Sequence, residues 1–185
     1  RRQRQMCIRD RTLEQQKNLF GNAYLNMLWH CPTDQRFPYW VHLPDCYYDE
    51  KDPHYKLLVI IHGTGCAVED YVRHAKELAD RDHVAVLAPL FPGGLIQRDD
   101  FNSYKLLSCD GVRYDQILLD MIDDMAKRYP GVETDKFFLF GHSGGGQFVN
   151  RFLFAHPEKL RACAIGAPGR PTFPVSYTHL RAHET

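Results

Sequence analysis

The sequence predicts an α/β fold, a mostly parallel sheet with helices on both faces, and three stretches carry that prediction. Residues 56–61 (KLLVII) form a nearly continuous apolar run, as in a parallel strand buried on both faces. Residues 137–140 (FFLF) are a second such run and feed directly into Gly141-His142-Ser143-Gly144-Gly145, a strand-to-helix turn. Between them, residues 112–129 place Ile117, Leu118, Met121, Ile122 and Met125 at helical spacing, and Pro130-Gly131 then stops the helix.

The remaining elements follow in chain order. Thr12-Leu13-Glu14-Gln15 fits a capping box, opening an N-terminal helix with Leu13, Phe20, Met27 and Leu28 among its apolar positions. Residues 32–38, bounded by prolines, read as a linker into an early strand over 39–44, and residues 45–53 as a polar turn. After the 56–61 strand, residues 68–79 bring Tyr71 or Val72, Ala75 and Leu78 or Ala79 to one side of a crossover helix. Residues 84–89 are the next strand. The segment 91–111 is too long for an ordinary strand-to-helix connection and is broken by Pro92-Gly93-Gly94. Its residues Gly93, Gly94, Asp99, Asp100, Asn102 and Tyr104, with Lys105 after them, make it the candidate substrate loop, because loops leaving the carboxyl ends of strands line the crevice of an open α/β sheet. A solvated surface excursion is the competing reading. Phe148, Phe152 and Leu153 pack the helix after Gly144, residues 155–160 end it, and residues 162–165 read as the sixth strand.

Two glycine turns carry the chemistry. In G-x-S-x-G, Gly141 and Gly145 leave room for Ser143 on a sharp, strained turn that exposes its hydroxyl, making Ser143 the candidate nucleophile. The Gly144 N–H opens the following helix and can hydrogen-bond an oxyanion. His62-Gly63-Thr64-Gly65 ends the 56–61 strand and can offer a second backbone donor, from Thr64 or Gly65, with the Thr64 hydroxyl as a third. His62 is expected to orient that turn by a side-chain hydrogen bond, and His142, in a variable slot of the motif, to contact substrate rather than act as the base.

On these motifs, and on residues 39–44, 84–89 and 155–160, the segment from 37 to 168 resembles the α/β-hydrolase superfamily, specifically its serine esterases and polyhydroxyalkanoate-depolymerase-like hydrolases. The resemblance implies a Ser, Asp or Glu, His triad in that chain order, hence an acid and a histidine after Ser143. Residues 166–174 contain neither Asp nor Glu.

Residues 1–10 and 175–185 resemble translated sequencing-adapter sequence in matched frames, and Arg11 and Pro174 can each use the codon such a junction requires. The expected organisation is therefore an adapter-derived segment at 1–10, an N-terminal helical and linker segment at 11–36, a partial α/β-hydrolase domain at 37–174 ending after about the sixth strand, and a second adapter-derived segment at 175–185. His179 and His183 are then expected to carry nothing, and the fragment to lack both triad acid and base.

The whole chain has 23 basic and 23 acidic residues. Residues 1–10 hold four Arg and one Asp, and 175–185 one Arg and one Glu, leaving 18 basic and 21 acidic residues in the insert. That balance argues against nucleic acid as a partner, and no apolar run approaches a membrane span. Cys31, Cys46, Cys66, Cys109 and Cys163 show no metal-ligand spacing and read as free thiols, with a Cys31–Cys46 bridge left open. His30, His42, His54, His74, His83 and His156 are scattered singly, so no metal or cofactor is expected. The predicted activity is hydrolysis of a small-molecule or polymeric carboxylic ester by acyl transfer; the alternatives are a thioesterase or peptidase, or a non-catalytic hydrolase-like binding module.

Overall fold

The structure is a computed structural model that describes residues 26–173. The adapter-like ends and the capping box at Thr12 lie outside the described residues.

Among the described residues eight strands and three α-helices follow in order: β1 (Asn26–His30), β2 (Pro38–His42), β3 (Tyr55–Ile61), α1 (Val68–Asp82), β4 (Val84–Pro89), β5 (Ser108–Cys109), β6 (Val112–Arg113), α2 (Tyr114–Arg128), β7 (Val132–His142), α3 (Gly144–Ala155) and β8 (Leu160–Gly166). Six strands form one sheet in the order β1-β2-β4-β3-β7-β8, and β5 pairs with β6 in a separate ribbon. The pairs β3–β4, β3–β7 and β7–β8 are parallel, whereas β1–β2 and β2–β4 are antiparallel.

The continuous apolar run of β3 divides by the period-2 pleat. Leu57, Val59 and Ile61 enter the larger core with Ile117, Leu118, Met121 and Phe148 of α2 and α3. Leu58 and Ile60 face the other way, into a smaller cluster with Val68, Val72 and Ala79 of α1. Helices therefore cover both faces, as the sequence predicted. Both α1 and α2 carry acidic residues in the first turn and basic ones in the last, matching the helix dipole.

The N-terminal reading needs correction. Met27 and Leu28 lie in β1, not on a helix, and residues 31–37 connect two antiparallel strands. The Trp29 indole N–H donates to the Tyr129 hydroxyl at 2.7 Å and the Arg128 guanidinium sits 3.9 Å over the Trp29 ring, so a tertiary contact holds β1 in place. Leu160 likewise opens β8; α3 stops at Ala155 and a 3-10 turn over Pro157–Lys159 joins the two. All five cysteines in the described residues are free, and Cys31 is buried against the Ile117 carbonyl, which closes the Cys31–Cys46 alternative here. No helix among the described residues is long and apolar enough to cross a membrane.

The strand order positions the site. From β3 the chain crosses to β4 on one side and later returns to β7 on the other, so β3 and β7 flank the point where the winding reverses. Ligand crevices of open α/β sheets form outside the carboxyl ends of such strands. Ile61 pairs with Gly141 there, which brings the two glycine turns side by side.

Candidate active site

Ser143 joins β7 to α3 with φ 56° and ψ −116°, a conformation that side chains with a Cβ rarely adopt. Holding it costs about 1–3 kcal/mol, and the surroundings enforce it. The Ser143 N–H donates to the Gly166 carbonyl at the end of β8 (2.8 Å), and its own carbonyl accepts from the Gln147 N–H (3.2 Å). A Cβ on Gly145 would run into the Ile61 and His62 carbonyls, and one on Gly141 into the Gly145 carbonyl, so helix and strands meet backbone to backbone. Ser143 itself remains exposed.

The H-G-T-G turn lies against this elbow. A Cβ built on Gly63 would sit 3.8 Å from Ser143 Cβ, and one on Gly144 would sit 2.9 Å from Thr64 Oγ1 and 2.7 Å from Lys105 Cε. The turn closes with the Cys66 N–H on the Gly63 carbonyl at 3.1 Å. Among the described residues the backbone N–H groups of Thr64, Gly65 and Gly144 have no backbone acceptor. Thr64 and Gly65 are exposed.

His62 is 1% exposed and fastens the turn. The Phe91 N–H donates to its Nε2 (3.0 Å), so the imidazole proton resides on Nδ1, which donates to the Gly63 carbonyl (2.7 Å). Burial pushes its pKa down, against the hydrogen bond to Gly63, and the Lys105 charge adds to the lowering. A neutral, fully committed imidazole suits orientation, not proton transfer. Beneath it the rings of Phe91, Tyr104, Phe148 and Phe152 stack in a column, with successive close pairs such as Phe91–Phe148 at 5.3 Å and Phe148–Phe152 at 5.8 Å.

The long loop divides in two. Its second part reaches the elbow: the Tyr104 hydroxyl donates to the His62 carbonyl (3.1 Å), and Lys105 Nζ donates to Thr64 Oγ1 (2.8 Å) and Asn102 Oδ1 (2.7 Å). Its first part closes on itself. The Gly94 N–H donates to the Asp100 carbonyl (2.7 Å), Gly93 packs on Phe101, and the Asp100 carboxylate accepts from the Ser103 hydroxyl and the Asn102 and Ser103 N–H groups. Asp99 is exposed. Gln147 and Arg151, one and two turns along α3, were missed by the sequence reading although their spacing from Gly144 puts them on one helix face. Arg151 Nη1 donates to the Lys105 carbonyl at 2.8 Å.

No histidine or carboxylate among the described residues hydrogen-bonds the Ser143 hydroxyl. His142 is exposed and its backbone pairs with Gly166. His156, bonded to Asp115 at 3.0 Å, caps the far end of α3, roughly 18 Å away by helix rise. Elsewhere, Cys46, Glu50 and His83 bring donor atoms within 4.8 Å of one another, a convergence that single-histidine spacing could not reveal.

No family model matches the chain, and no curated protein sequence does. Solved structures do. LpqC, a poly(3-hydroxybutyrate) depolymerase from Bordetella parapertussis, superposes with a TM-score of 0.66 at 20% identity, over 81% of this chain and 53% of its own. Poly(aspartic acid) hydrolase-1 from Sphingomonas sp. KT-1 gives 0.62 at 19% identity, over 82% and 60%. FphF, a fluorophosphonate-binding serine hydrolase of Staphylococcus aureus, gives 0.61 at 22% identity, over 76% and 55%. The chain thus spans between 53% and 60% of the length of these neighbours. With the sheet order and both glycine turns in place, the architecture is that of an α/β-hydrolase fold.

Proposed function

We propose that this chain is the nucleophile-bearing part of a serine hydrolase that cleaves carboxylic esters by acyl transfer through Ser143. The observation that carries the reading is the strained Ser143 backbone, φ 56° and ψ −116°, held directly against the H-G-T-G turn. Strain of this kind persists where the surroundings over-determine it and clusters at active sites. The solved neighbours named as a depolymerase and as a fluorophosphonate-binding serine hydrolase support the same class.

In the proposed mechanism a histidine base takes the Ser143 proton as Oγ bonds to the ester carbonyl carbon. The carbonyl oxygen, now negative, rests on the Gly144 N–H and on the Thr64 or Gly65 N–H. The C–O bond to the alcohol then breaks, the base returns its proton to the leaving alcohol, and water repeats the sequence to free the acid. Base and acid belong, on this reading, to sequence that follows Pro174 in the parent gene. Lys105 supplies fixed positive charge, and its bond to Thr64 Oγ1 leaves the threonine hydroxyl hydrogen free to point at the oxyanion.

The test is a fluorophosphonate probe applied to the gene product that continues past Pro174, together with its Ser143→Ala variant. The parent should label and hydrolyse nitrophenyl esters, the variant should do neither, and residues 11–174 alone should give no turnover. Turnover retained by Ser143→Ala would refute the assignment. A panel of thioesters and peptides beside the esters separates the thioesterase and peptidase readings; an unlabelled parent would indicate a binding module.

A further inference from the structure

A cleft of about 550 Å³ lies along α3, between the long loop and the segment after β8, and its walls carry three cations. Arg151 lies on the α3 face that begins at Gly144 and includes Gln147, Lys105 and Asn102 come from the long loop, and Arg170 from the segment after β8. Lys105 is 7% exposed, yet its ammonium meets no anion, only the neutral oxygens of Thr64 and Asn102 and, at 5.9 Å, the Tyr104 ring. Arg151 Nη1 meets only carbonyls, those of Lys105 and Gln147. Among the described residues no carboxylate forms an ion pair with any of the three. This is not for want of acids. Arg36, Arg73, Arg81, Arg113, Arg128 and Arg161 each hold a carboxylate. The nearest acid on the loop, Asp100, lends Lys105 some opposing charge but is already held by the Ser103 hydroxyl and two N–H groups.

Partly desolvated cations without a counter-ion are costly, and burial lowers the pKa of both Lys105 and Arg151. A ligand carboxylate would relieve that cost with charge-assisted hydrogen bonds, for which the Nε and Nη2 edge of Arg151 and the third ammonium hydrogen of Lys105 remain available. We infer that the cleft binds a carboxylate carried by the ester substrate while the scissile carbonyl lies at Ser143. The inference rests on the serine-hydrolase reading and gives it a substrate class, anionic esters. Seven residues of helix rise separate Gly144 from Arg151, about 10 Å, and the arginine leans back toward the helix N-terminus. The carboxylate therefore lies about 5–10 Å from the carbonyl carbon, roughly four to eight bonds along a chain.

The experiment compares matched esters on the gene product that continues past Pro174. Mono(4-nitrophenyl) adipate against 4-nitrophenyl hexanoate places the charge on the acyl side; 4-acetoxybenzoate against its methyl ester places it on the alcohol side. In at least one pair kcat/KM should favour the anion by about tenfold to a hundredfold, as hydrogen bonds between charged groups warrant. The preference should shrink with added salt and approach unity in an Arg151→Gln, Arg170→Gln variant. Equal kcat/KM in both pairs, with neutral esters still cleaved, overturns the inference and leaves the serine-hydrolase reading standing. If no ester is cleaved and the fluorophosphonate does not label, that reading fails instead. Titration of adipate against adipamide then tests the cleft without hydrolysis, and equal affinity overturns the anion site.

Discussion

Replacing Ser143 with glycine should stabilise the protein while abolishing the proposed ester hydrolysis. Ser143 holds φ 56° and ψ −116°, a region closed to most L-residues and open to glycine. Relief of that strain is worth about 1–3 kcal/mol. Glycine returns about 0.5–1 kcal/mol of it through the greater freedom of its unfolded chain. The net gain is up to about 2.5 kcal/mol, and each kcal/mol raises the midpoint by about 2–4 °C in a domain of this size. The reference is Ser143→Ala, which removes the same hydroxyl but keeps the Cβ and hence the strain. Urea unfolding followed by the fluorescence of Trp29 and Trp40 compares the two at equal m-value, so that differences in midpoint read stability alone. A glycine variant no more stable than the alanine variant, with the fold intact in both, would refute the claim that backbone strain is stored at this position.

Two further outcomes follow from the hydrogen bonds. Burial alone would raise the pKa of Asp115, whose side chain is 4% exposed, but the Arg113 and His156 hydrogen bonds outweigh it and hold the carboxyl at about 2, below its ordinary 3.8. Its depressed pKa contributes about 2 kcal/mol that is present above pH 4 and lost as pH falls through 2; Asp115→Asn should be destabilised by that amount at pH 7, with the gap from the parent closing below pH 4 in urea titrations. A gap that stays constant with pH would rule out the charge as its source. Thr64→Val removes the acceptor that buried Lys105 uses and the proposed third oxyanion donor, so kcat for ester hydrolysis should fall about a hundredfold, with Thr64→Ser restoring most of it; an unchanged kcat would remove the threonine hydroxyl from the mechanism.

What the sequence revealed, and what it hid, follows from where the determining contacts lie. β3, β4 and the 137–140 stretch of β7 are legible because burial on both faces suppresses polar residues along the run, and α2 because its inward residues recur every three or four; the first half of β7, from Val132, is polar and does not read as strand. β1 is not legible. Its burial alternates weakly, Leu28 is 51% exposed, and the strand exists by pairing with β2 and by the docking of Trp29 on α2. The two-residue strands β5 and β6 are too short to carry any period. At the site, both glycine turns can be read because their backbones admit few alternatives. The burial of Lys105 cannot, since a lysine in a polar loop ordinarily points outward and only the fold sets Thr64 and Asn102 beside its ammonium. Arg151 was within reach, seven residues beyond Gly144 on the same helical face, but the apolar positions Phe148, Phe152 and Leu153 are what the helix shows first.

His62 holds the long loop at two points. The Phe91 N–H binds its ring where the loop departs, and the Tyr104 hydroxyl binds its carbonyl where the loop returns. Residues 93–101 are thus an excursion moored twice to one residue, and an excursion of that kind can lengthen, shorten or change composition without shifting its moorings. Loop-closure cost grows only slowly with length, so thermodynamics permits such variation as well. The arrangement separates inheritance from innovation: descendants of this fold, or a library built on it, can explore new residues across 93–99 while the H-G-T-G turn beneath stays as it is.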